Sequence, residues 1–223
     1  MLIKKYNLDD IETVEISKQF ISQFLPKNPV IVEAGGHIGR DAIRMAKFWH
    51  EATIYSFEPV KELYDKLVLN TSIYNNIFCY NFALSNKVES LNMYVSSGRS
   101  TALSSLFEPL TDLANHPETK FQLQEVKSTV LELWAKENNI TYVDFFWFDM
   151  QGAELTVLES SRNIIKTAKA IFIELNLIKR YKDIPLYNEL LEWFEENNFS
   201  PVAKDKLKYN KVNILFVNNM FTL

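Results

Sequence analysis

Short apolar runs alternate along the chain with segments whose apolar residues recur at helical spacing. The apolar runs lie at residues 30–33, 53–57, 77–84, 142–149 and 170–175, and each predicts a buried strand. The segments with helical spacing lie at residues 41–50, 60–70, 131–138 and 185–197, and another begins near Ala153. Continuous apolar strands that alternate with amphipathic helices are typical of a mostly parallel sheet covered on both faces. We therefore expect an α/β, doubly wound fold.

The two ends of the chain and its middle depart from this alternation. Asp9 and Asp10 can cap a helix that runs to residue 24 and ends before Pro26, which predicts a helical N-terminal segment over residues 1–28. Residues 89–127 contain two runs of alternating apolar and polar residues, typical of an antiparallel insertion. Val202 and residues 212–217 predict a closing antiparallel pair. Residues 29–223 are therefore expected to form one domain.

Composition narrows the class of protein. The chain has 223 residues, of which 47% are hydrophobic, and this excludes a disordered protein. Its formal net charge of −4 argues against nucleic acid as a partner, since such binding depends on Lys and Arg. No apolar stretch reaches the roughly 18 residues of a membrane span, and Cys79 alone cannot form an intrachain disulfide. We expect a cytoplasmic protein with no membrane partner.

Three of the five glycines crowd into one loop. Gly35, Gly36 and Gly39 follow the first predicted strand, and a predicted helix opens directly after them. Bare backbone and the unpaired N–H groups of a helix N-terminus together suit a cofactor. The G-x-G-x-x-G pattern of dinucleotide sites fits only with Ala34 in place of its first glycine. A loop for S-adenosylmethionine fits better, because Glu33 at the strand end can accept hydrogen bonds from the cofactor.

Carboxylates mark the ends of three further strands, at the edge where parallel sheets bind ligands. Glu58 follows the second strand and can accept hydrogen bonds from both hydroxyls of a ribose, in an adenosyl or a nicotinamide cofactor. Ala83, at the end of the third strand, would lie beside the base. Asp149 and Glu174 end the fourth and fifth strands and so share one rim. Asp149 can position a substrate, bind the cofactor amine or act as a base.

Six motifs, in this order and spacing, resemble those of the FkbM family of class I S-adenosylmethionine-dependent methyltransferases. They are VEAGGHIG at residues 32–39, FEP at 57–59, NFALS at 81–85, SSGRSTALSSL at 96–106, DFFWFDMQGAELTVL at 144–158 and IELN at 173–176. The resemblance covers residues 30–217. It implies a Rossmann-like, mostly parallel seven-stranded sheet with an antiparallel last strand and a β insertion between strands three and four.

The resemblance also implies S-adenosylmethionine as the cofactor and a set of residues that bind it. The methionine side is expected to contact Glu33, Gly35, Gly36, His37 and Gly39. Glu58 is expected at the ribose and Ala83 at the adenine, and the expected set is completed by Phe57, Pro59, Asp149 and Gln151. Asp149 would lie near the reacting methyl. Many members carry Lys and a second acid where this chain has Trp147 and Gln151, which removes one potential metal ligand.

The expected reaction is O-methylation of a hydroxyl on a small molecule or sugar. Asp149 and Glu174 are the candidate catalytic residues; Asp149 is favoured as the base over Glu174 and His37. A non-catalytic adenosyl-binding module and a nicotinamide-dependent oxidoreductase remain alternatives. We expect no metal site from the scattered His and Cys residues, although Asp149 and Glu174 could share a hard cation. The sequence leaves a homodimer open.

Two polar segments have no role fixed by these motifs. Residues 96–105, with Arg99, are either the loop that faces the substrate or a flexible surface insertion. A basic run near the closing pair contains Lys204, Lys206, Lys208 and Lys211. We interpret this run as a solvated turn rather than a binding patch for acidic substrates.

Overall fold

Seven strands form the central sheet of the computed structural model, which describes residues 6–110 and 118–221. They are β1 Val30–Ala34, β2 Thr53–Phe57, β3 Ile77–Tyr80, β7 Phe145–Phe148, β8 Ala170–Asn176, β9 Phe199–Lys204 and β10 Lys211–Asn218. The order across the sheet is β3-β2-β1-β7-β8-β10-β9. β10 is antiparallel to both of its neighbours, whereas β3, β2, β1, β7 and β8 pair in parallel. The predicted α/β, Rossmann-like sheet with its antiparallel last strand is confirmed.

Helices cover both faces of the sheet. They are α1 Lys18–Ile21, α2 Arg40–Phe48, α3 Lys61–Thr71, α4 Leu131–Glu137, α5 Glu154–Ser160, α6 Arg162–Ile165 and α7 Tyr187–Glu196. Successive strand residues point to opposite faces, so Ile31 packs in a core with Met45 of α2 while Val32 packs in another with Trp134 and Leu190. Strands buried on both faces explain the continuous apolar runs in the sequence.

A three-stranded sheet is inserted between β3 and β7. It contains β4 Ala83–Leu84, β5 Ser90–Gly98 and β6 Thr119–Thr129, in the order β4-β6-β5. The insertion is confirmed, but the single predicted strand over residues 77–84 is wrong. The chain leaves the central sheet after Tyr80, where the Asn81 side-chain amide donates to the carbonyls of Glu58 and Pro59, each at 2.9 Å. β4 then pairs with β6 instead.

The predicted helix is wrong over residues 11–17, while its second half is present as a helix over Lys18–Ile21 and a 3₁₀ turn over Ser22–Phe24. After a short turn at residues 8–10 the chain is extended, and Val14 N–H donates to the Lys204 carbonyl at 3.0 Å while Lys204 N–H donates to the Glu12 carbonyl at 2.8 Å. This segment thus pairs with β9 at the last residue of the strand, Lys204. A helix begins only at Lys18, capped by the Ser17 hydroxyl. The domain boundary after residue 28 stays a prediction.

Lys204 contradicts the interpretation of the basic run as a solvated turn. Its side chain is buried, and its ammonium donates to the Leu8 carbonyl. The lysine therefore fastens the N-terminal segment to the sheet. Across residues 6–110 and 118–221, no helix has the length and apolar character of a membrane span.

Candidate active site

The glycine loop packs directly onto the ends of β2 and β7. Gly35 and Gly36 both donate their N–H groups to the Phe57 carbonyl, at 3.1 and 2.9 Å. Gly35 has a φ of +94°, and a Cβ there would lie 2.0 Å from the backbone oxygen of Asp149. A Cβ on Gly36 would lie 2.2 Å from the Ser56 hydroxyl oxygen. The glycines therefore let the loop approach its neighbouring strands, which brings Asp149 close to the loop.

The Glu58 carboxylate is held at the end of β2 by two backbone groups. Its Oε1 accepts the Val60 N–H at 2.9 Å, and its Oε2 accepts the His37 N–H at 2.8 Å. Burial raises the pKa of Glu58 to about 7, and these two hydrogen bonds oppose that rise. Because each carboxylate oxygen has a second lone pair, Glu58 can still accept two further hydrogen bonds.

A small cavity of about 100 Å³ lies between the glycine loop and the inserted sheet. Eight of the residues predicted for the site line it: Gly35, His37, Phe57, Glu58, Pro59, Ala83, Asp149 and Gln151. The remaining wall is largely apolar and includes Leu63, Phe82, Met93 and Leu106. An apolar cleft with a few convergent polar groups is the usual form of a cofactor site.

Three predicted cofactor ligands do not line this cavity. Gly39, with a φ of +86°, begins α2 and packs against Leu67 of α3. Gly36 lies against Ser56 and Glu33. Glu33 is buried beneath the loop and accepts a hydrogen bond from the Ser56 hydroxyl, and burial raises its pKa to about 8. In this structure the three residues support the loop, and their direct contact with the cofactor stays a prediction.

Gln151 connects the two candidate catalytic carboxylates. Its amide nitrogen lies 2.5 Å from Oδ1 of Asp149 and 3.1 Å from Oε1 of Glu174. Its amide oxygen accepts a hydrogen bond from the Lys211 ammonium at 2.7 Å, and Lys211 also pairs with Glu174. A fourth group, the Tyr181 hydroxyl, lies 3.3 Å from the same oxygen. The Gln151 amide therefore occupies the space between Asp149 and Glu174, where a cation shared by the two carboxylates would have to bind.

Lys211 is a site residue that the sequence did not indicate. It lies in β10, opposite Asn176 at the end of β8, and its side chain is only 10% exposed. Lys211 was not singled out because three other lysines lie within the seven residues before it, and such a run is typical of an exposed polar turn. Only the antiparallel pairing of β10 with β8 brings Lys211 to the strand ends, so no spacing in the sequence could have identified it.

Glu154, the first residue of α5, shapes the turn that carries Asp149 and Gln151. Its two carboxylate oxygens accept the N–H groups of Met150 at 2.7 Å and Gly152 at 2.9 Å. Gln151 itself has a φ of +53°. An acid in the first turn of a helix is a recognised capping signal, so the sequence DMQGAE did contain this information.

Electrostatics in the site favour proton exchange near neutral pH. Asp149 is exposed to solvent at the edge of the small cavity. The surrounding protein and repulsion from Glu174 raise its pKa, while Lys211 and the hydrogen bond from Gln151 oppose the rise, and exposure to solvent weakens all of these effects. Burial, with Arg40 and Lys66 nearby, lowers the pKa of His37 below its usual value. The His37 Nε2 lies 2.8 Å from the Thr101 hydroxyl, so a neutral imidazole contacts the inserted loop.

Glu174 opens into a second, larger cavity of about 820 Å³. Residues 99–104 form the partition: Arg99, Ser100 and Leu103 line the larger cavity, whereas Thr101, Ala102 and Ser104 line the smaller one. The predicted loop thus borders the site on both sides. Lys206, Lys208 and Lys211 line the larger cavity as well. Lys206 and Lys208 are exposed in the turn between β9 and β10, as predicted, whereas the Lys211 side chain is largely buried.

Solved structures share the fold of this chain at low sequence identity. Fibrillarin from Methanococcus jannaschii has a TM-score of 0.55 at 11% identity, with 97% of this chain and 86% of that chain covered. TrmK from M. capricolum, solved with S-adenosylhomocysteine, has a TM-score of 0.52 at 12% identity, covering 93% and 70%. These likenesses define the fold as that of class I methyltransferases.

The family model of the methyltransferase FkbM domain matches residues 33–201, and this chain belongs to that family. The predicted family and the predicted cofactor, S-adenosylmethionine, are confirmed, which decides against the nicotinamide alternative. The 2-O-methyltransferase NoeI from Sinorhizobium fredii is 23% identical over 181 residues, 78% of this chain and 72% of NoeI. Methyltransferase sdnD from Sordaria araneosa is 32% identical over 133 residues, 57% of this chain and 46% of sdnD.

Proposed function

We propose that this methyltransferase transfers the methyl group of S-adenosylmethionine to a hydroxyl oxygen of a small molecule or sugar. The observation that carries the proposal is the position of Asp149. Its carboxylate lines the small cavity and is connected through Gln151 to Glu174, which lines the large one. A base at this junction can reach both cofactor and acceptor. The similarity to a 2-O-methyltransferase supports a hydroxyl oxygen as the methyl acceptor.

The small cavity has the donor and acceptor set that the adenosyl group requires. Glu58 offers two acceptor sites to the ribose hydroxyls, Ala83 leaves room at the adenine, and Gly35 and His37 border the methionine side. At about 100 Å³ the cavity is smaller than the roughly 300–1,000 Å³ of typical ligand sites. Residues 99–106 must therefore move outward when the cofactor binds.

Bound S-adenosylmethionine supplies an electrophilic methyl group, and the chain must hold an acceptor oxygen in line with it. The hydroxyl must lose its proton as the new bond forms. Asp149, with its raised pKa, can accept that proton near neutral pH. Glu174 is already engaged by Lys211 and Gln151, so we assign it a positioning role in place of direct proton transfer.

The first test measures binding of S-adenosylhomocysteine by calorimetry. Glu58→Gln removes the charge that strengthens the ribose hydrogen bonds, and we expect about 10- to 100-fold weaker binding. Glu62→Gln, on the exposed face of α3, serves as the matched control and should bind like the wild type. Equal affinities for both variants would show that the ribose does not contact Glu58.

Turnover separates an enzyme from a non-catalytic adenosyl-binding module. Purified protein is incubated with methyl-labelled S-adenosylmethionine and a panel of hydroxylated sugars, and the product is identified by mass spectrometry and NMR. We expect an O-methyl product and a loss of about 10²- to 10⁴-fold in kcat for Asp149→Asn. Cofactor binding without any transfer would favour the module, and an N- or C-methyl product would refute O-methylation.

A further inference from the structure

The large cavity lies on the Glu174 side of the partition formed by residues 99–104. Its volume of about 820 Å³ is within the usual range for a small-molecule site. The partition, the turn between β9 and β10, and the extended N-terminal segment form its walls, through residues such as Arg99, Lys206 and Thr13. The cavity is therefore built from parts of the chain outside the cofactor loop.

The charges that line the large cavity differ from the charge of the whole chain. Among residues 6–110 and 118–221, five cationic side chains line it: Arg99, Arg180, Lys206, Lys208 and Lys211. Within the same ranges, three acidic side chains line it: Glu15, Glu174 and Asp205. This part of the lining thus carries a positive excess in a protein whose formal net charge is −4. A local positive field of this kind attracts anions into a concave site.

Two of the three acids are already engaged by other groups. Glu174 pairs with Lys211, and Asp205 accepts hydrogen bonds from the Ile16 N–H and the Asn213 amide, each at 3.2 Å. In residues 6–110 and 118–221, the side chains of Arg99, Lys206 and Lys208 have neither a hydrogen-bond nor an ion-pair partner. Three cations are therefore left to interact with whatever enters the cavity.

We propose that the methyl acceptor carries an anionic group, a carboxylate or a phosphate, that Arg99, Lys206 and Lys208 bind in the large cavity. This inference rests on the proposed function and specifies its substrate class. A guanidinium can hold either group through two parallel hydrogen bonds, and an ammonium acts as a point charge. The same three residues determine specificity, because a neutral acceptor leaves their mutual repulsion uncompensated.

The arrangement also orients the acceptor. Lys206 and Lys208 belong to the turn between β9 and β10, whereas Glu174 and Lys211 lie at the strand ends beside Gln151. With its anionic group at the turn, the acceptor directs its hydroxyl toward Gln151 and Asp149. A small acceptor fits this geometry better than a polynucleotide, which requires cations spread along an open surface.

The test of this inference is direct binding, so that it does not depend on turnover. Protein saturated with S-adenosylhomocysteine is titrated with three matched probes: methyl glucoside, which is neutral, methyl glucuronide, which carries a carboxylate, and glucose 6-phosphate. We expect at least tenfold tighter binding of one anionic probe than of the neutral probe, and the tighter of the two identifies the anion. Equal binding of all three probes, or no binding of either anion, overturns the inference.

Variants locate the interaction. Lys206→Ala combined with Lys208→Ala should lower the affinity for the anionic probe at least tenfold and leave the affinity for S-adenosylhomocysteine unchanged. Lys87→Ala combined with Lys127→Ala removes the same charge from exposed positions outside the cavity and should have no such effect. If both double variants weaken binding equally, the attraction is general and the proposed site is wrong.

A turnover arm distinguishes this inference from the proposed function. Methyl transfer to an anionic acceptor, with a raised KM and an unchanged kcat in the Lys206 and Lys208 variant, supports both. Transfer to the neutral glucoside at an equal or higher rate supports the proposed function and overturns the inference. Transfer to a tRNA transcript in place of the sugars overturns both. Anion binding without any methyl transfer supports an anion site in the large cavity but overturns its assignment to a methyl acceptor.

Discussion

Side chains from three strands and one turn meet at a single point in this protein. Asp149 follows β7, Gln151 is in the turn after it, Glu174 is in β8 and Lys211 is in β10. Asp149 and Glu174 were identifiable as carboxylates at strand ends, whereas Lys211 lies 37 residues beyond Glu174 in a lysine-rich run. The pKa of Asp149 depends on all of these groups, so it is set by the tertiary structure.

Opposite shifts of the pH profile are expected from two substitutions in this group. Asp149 acts as a base in its deprotonated form, so kcat/KM rises with pH through its pKa. Lys211→Met removes an interaction that lowers this pKa and should move the rise to higher pH. Glu174→Gln removes repulsion and should move the rise to lower pH. Profiles are measured for both variants, with Lys87→Met as the control; shifts in the same direction would contradict Asp149 as the base.

Gly35 is the glycine of the loop that tolerates a side chain least. Gly35→Ala combines a positive φ with a Cβ 2.0 Å from a backbone oxygen, and we expect a loss of about 2–5 kcal/mol in the free energy of unfolding. At Gly36 the neighbouring atom is the end of the Ser56 side chain, which can rotate, so Gly36→Ala should cost less. Denaturant titration measures both losses. A smaller loss for Gly35→Ala than for Gly36→Ala would contradict the packing described above.

Two segments of this fold depart from the structure that their hydrophobic pattern predicts, because contacts with distant parts of the chain determine their conformation. The apolar run at residues 77–84 contains two strands, because Asn81 turns the chain toward β6 after four residues of β3. The N-terminal segment has apolar residues compatible with a helix, yet Lys204 at the end of β9 binds it in extended form. Propensity is a weak determinant when a strand edge offers backbone hydrogen bonds.

The partition between the cavities is held by a contact that can be removed without loss of shape. Thr101→Val deletes the hydroxyl next to Nε2 of His37, a bond worth about 1 kcal/mol. We expect trypsin to cleave after Arg99 about fivefold faster in native conditions, since the open form becomes more populated. Ser97→Ala, in the same region and without contact to His37, is the control. An unchanged cleavage rate in Thr101→Val would show that this hydrogen bond does not restrain the loop.

At the scale of the whole molecule, buried acids dominate the pH dependence of stability. Burial raises the pKa of Glu33 to about 8 and those of Glu58 and Glu154 to about 7. These groups hold protons in the folded protein at pH values where the unfolded chain has released them. The folded state then binds more protons than the unfolded state, so stability falls as pH rises from about 5 to about 8.

Glu33→Gln tests the largest of these contributions. The variant carries no titrating group at residue 33, so its stability relative to the wild type should increase with pH, by at most about 1.4 kcal/mol per unit. The increase is confined to pH values below about 8, because above that pH Glu33 is ionised in the folded protein as well. The nearby Lys18, whose pKa burial lowers to about 8, is protonated over the same range. Urea unfolding at pH 6, 7 and 8 measures it, with Glu62→Gln as the exposed control. Parallel stability curves for wild type and Glu33→Gln would mean that Glu33 is ionised in the fold.

The hydrophobic pattern and the motifs were sufficient to predict the α/β class, the family, the cofactor and which residues lie at the ends of β1, β2 and β7. Those residues follow buried strands directly, and the parallel sheet aligns strand ends with one another, so local pattern was sufficient. The tertiary structure alone decided that Glu33 supports the loop from below, that Lys211 joins Glu174 and Gln151, and that the basic run lines a cavity. These features depend on pairing and packing between segments far apart in the chain. Hydrophobic periodicity indicates only local secondary structure, so it cannot predict such contacts.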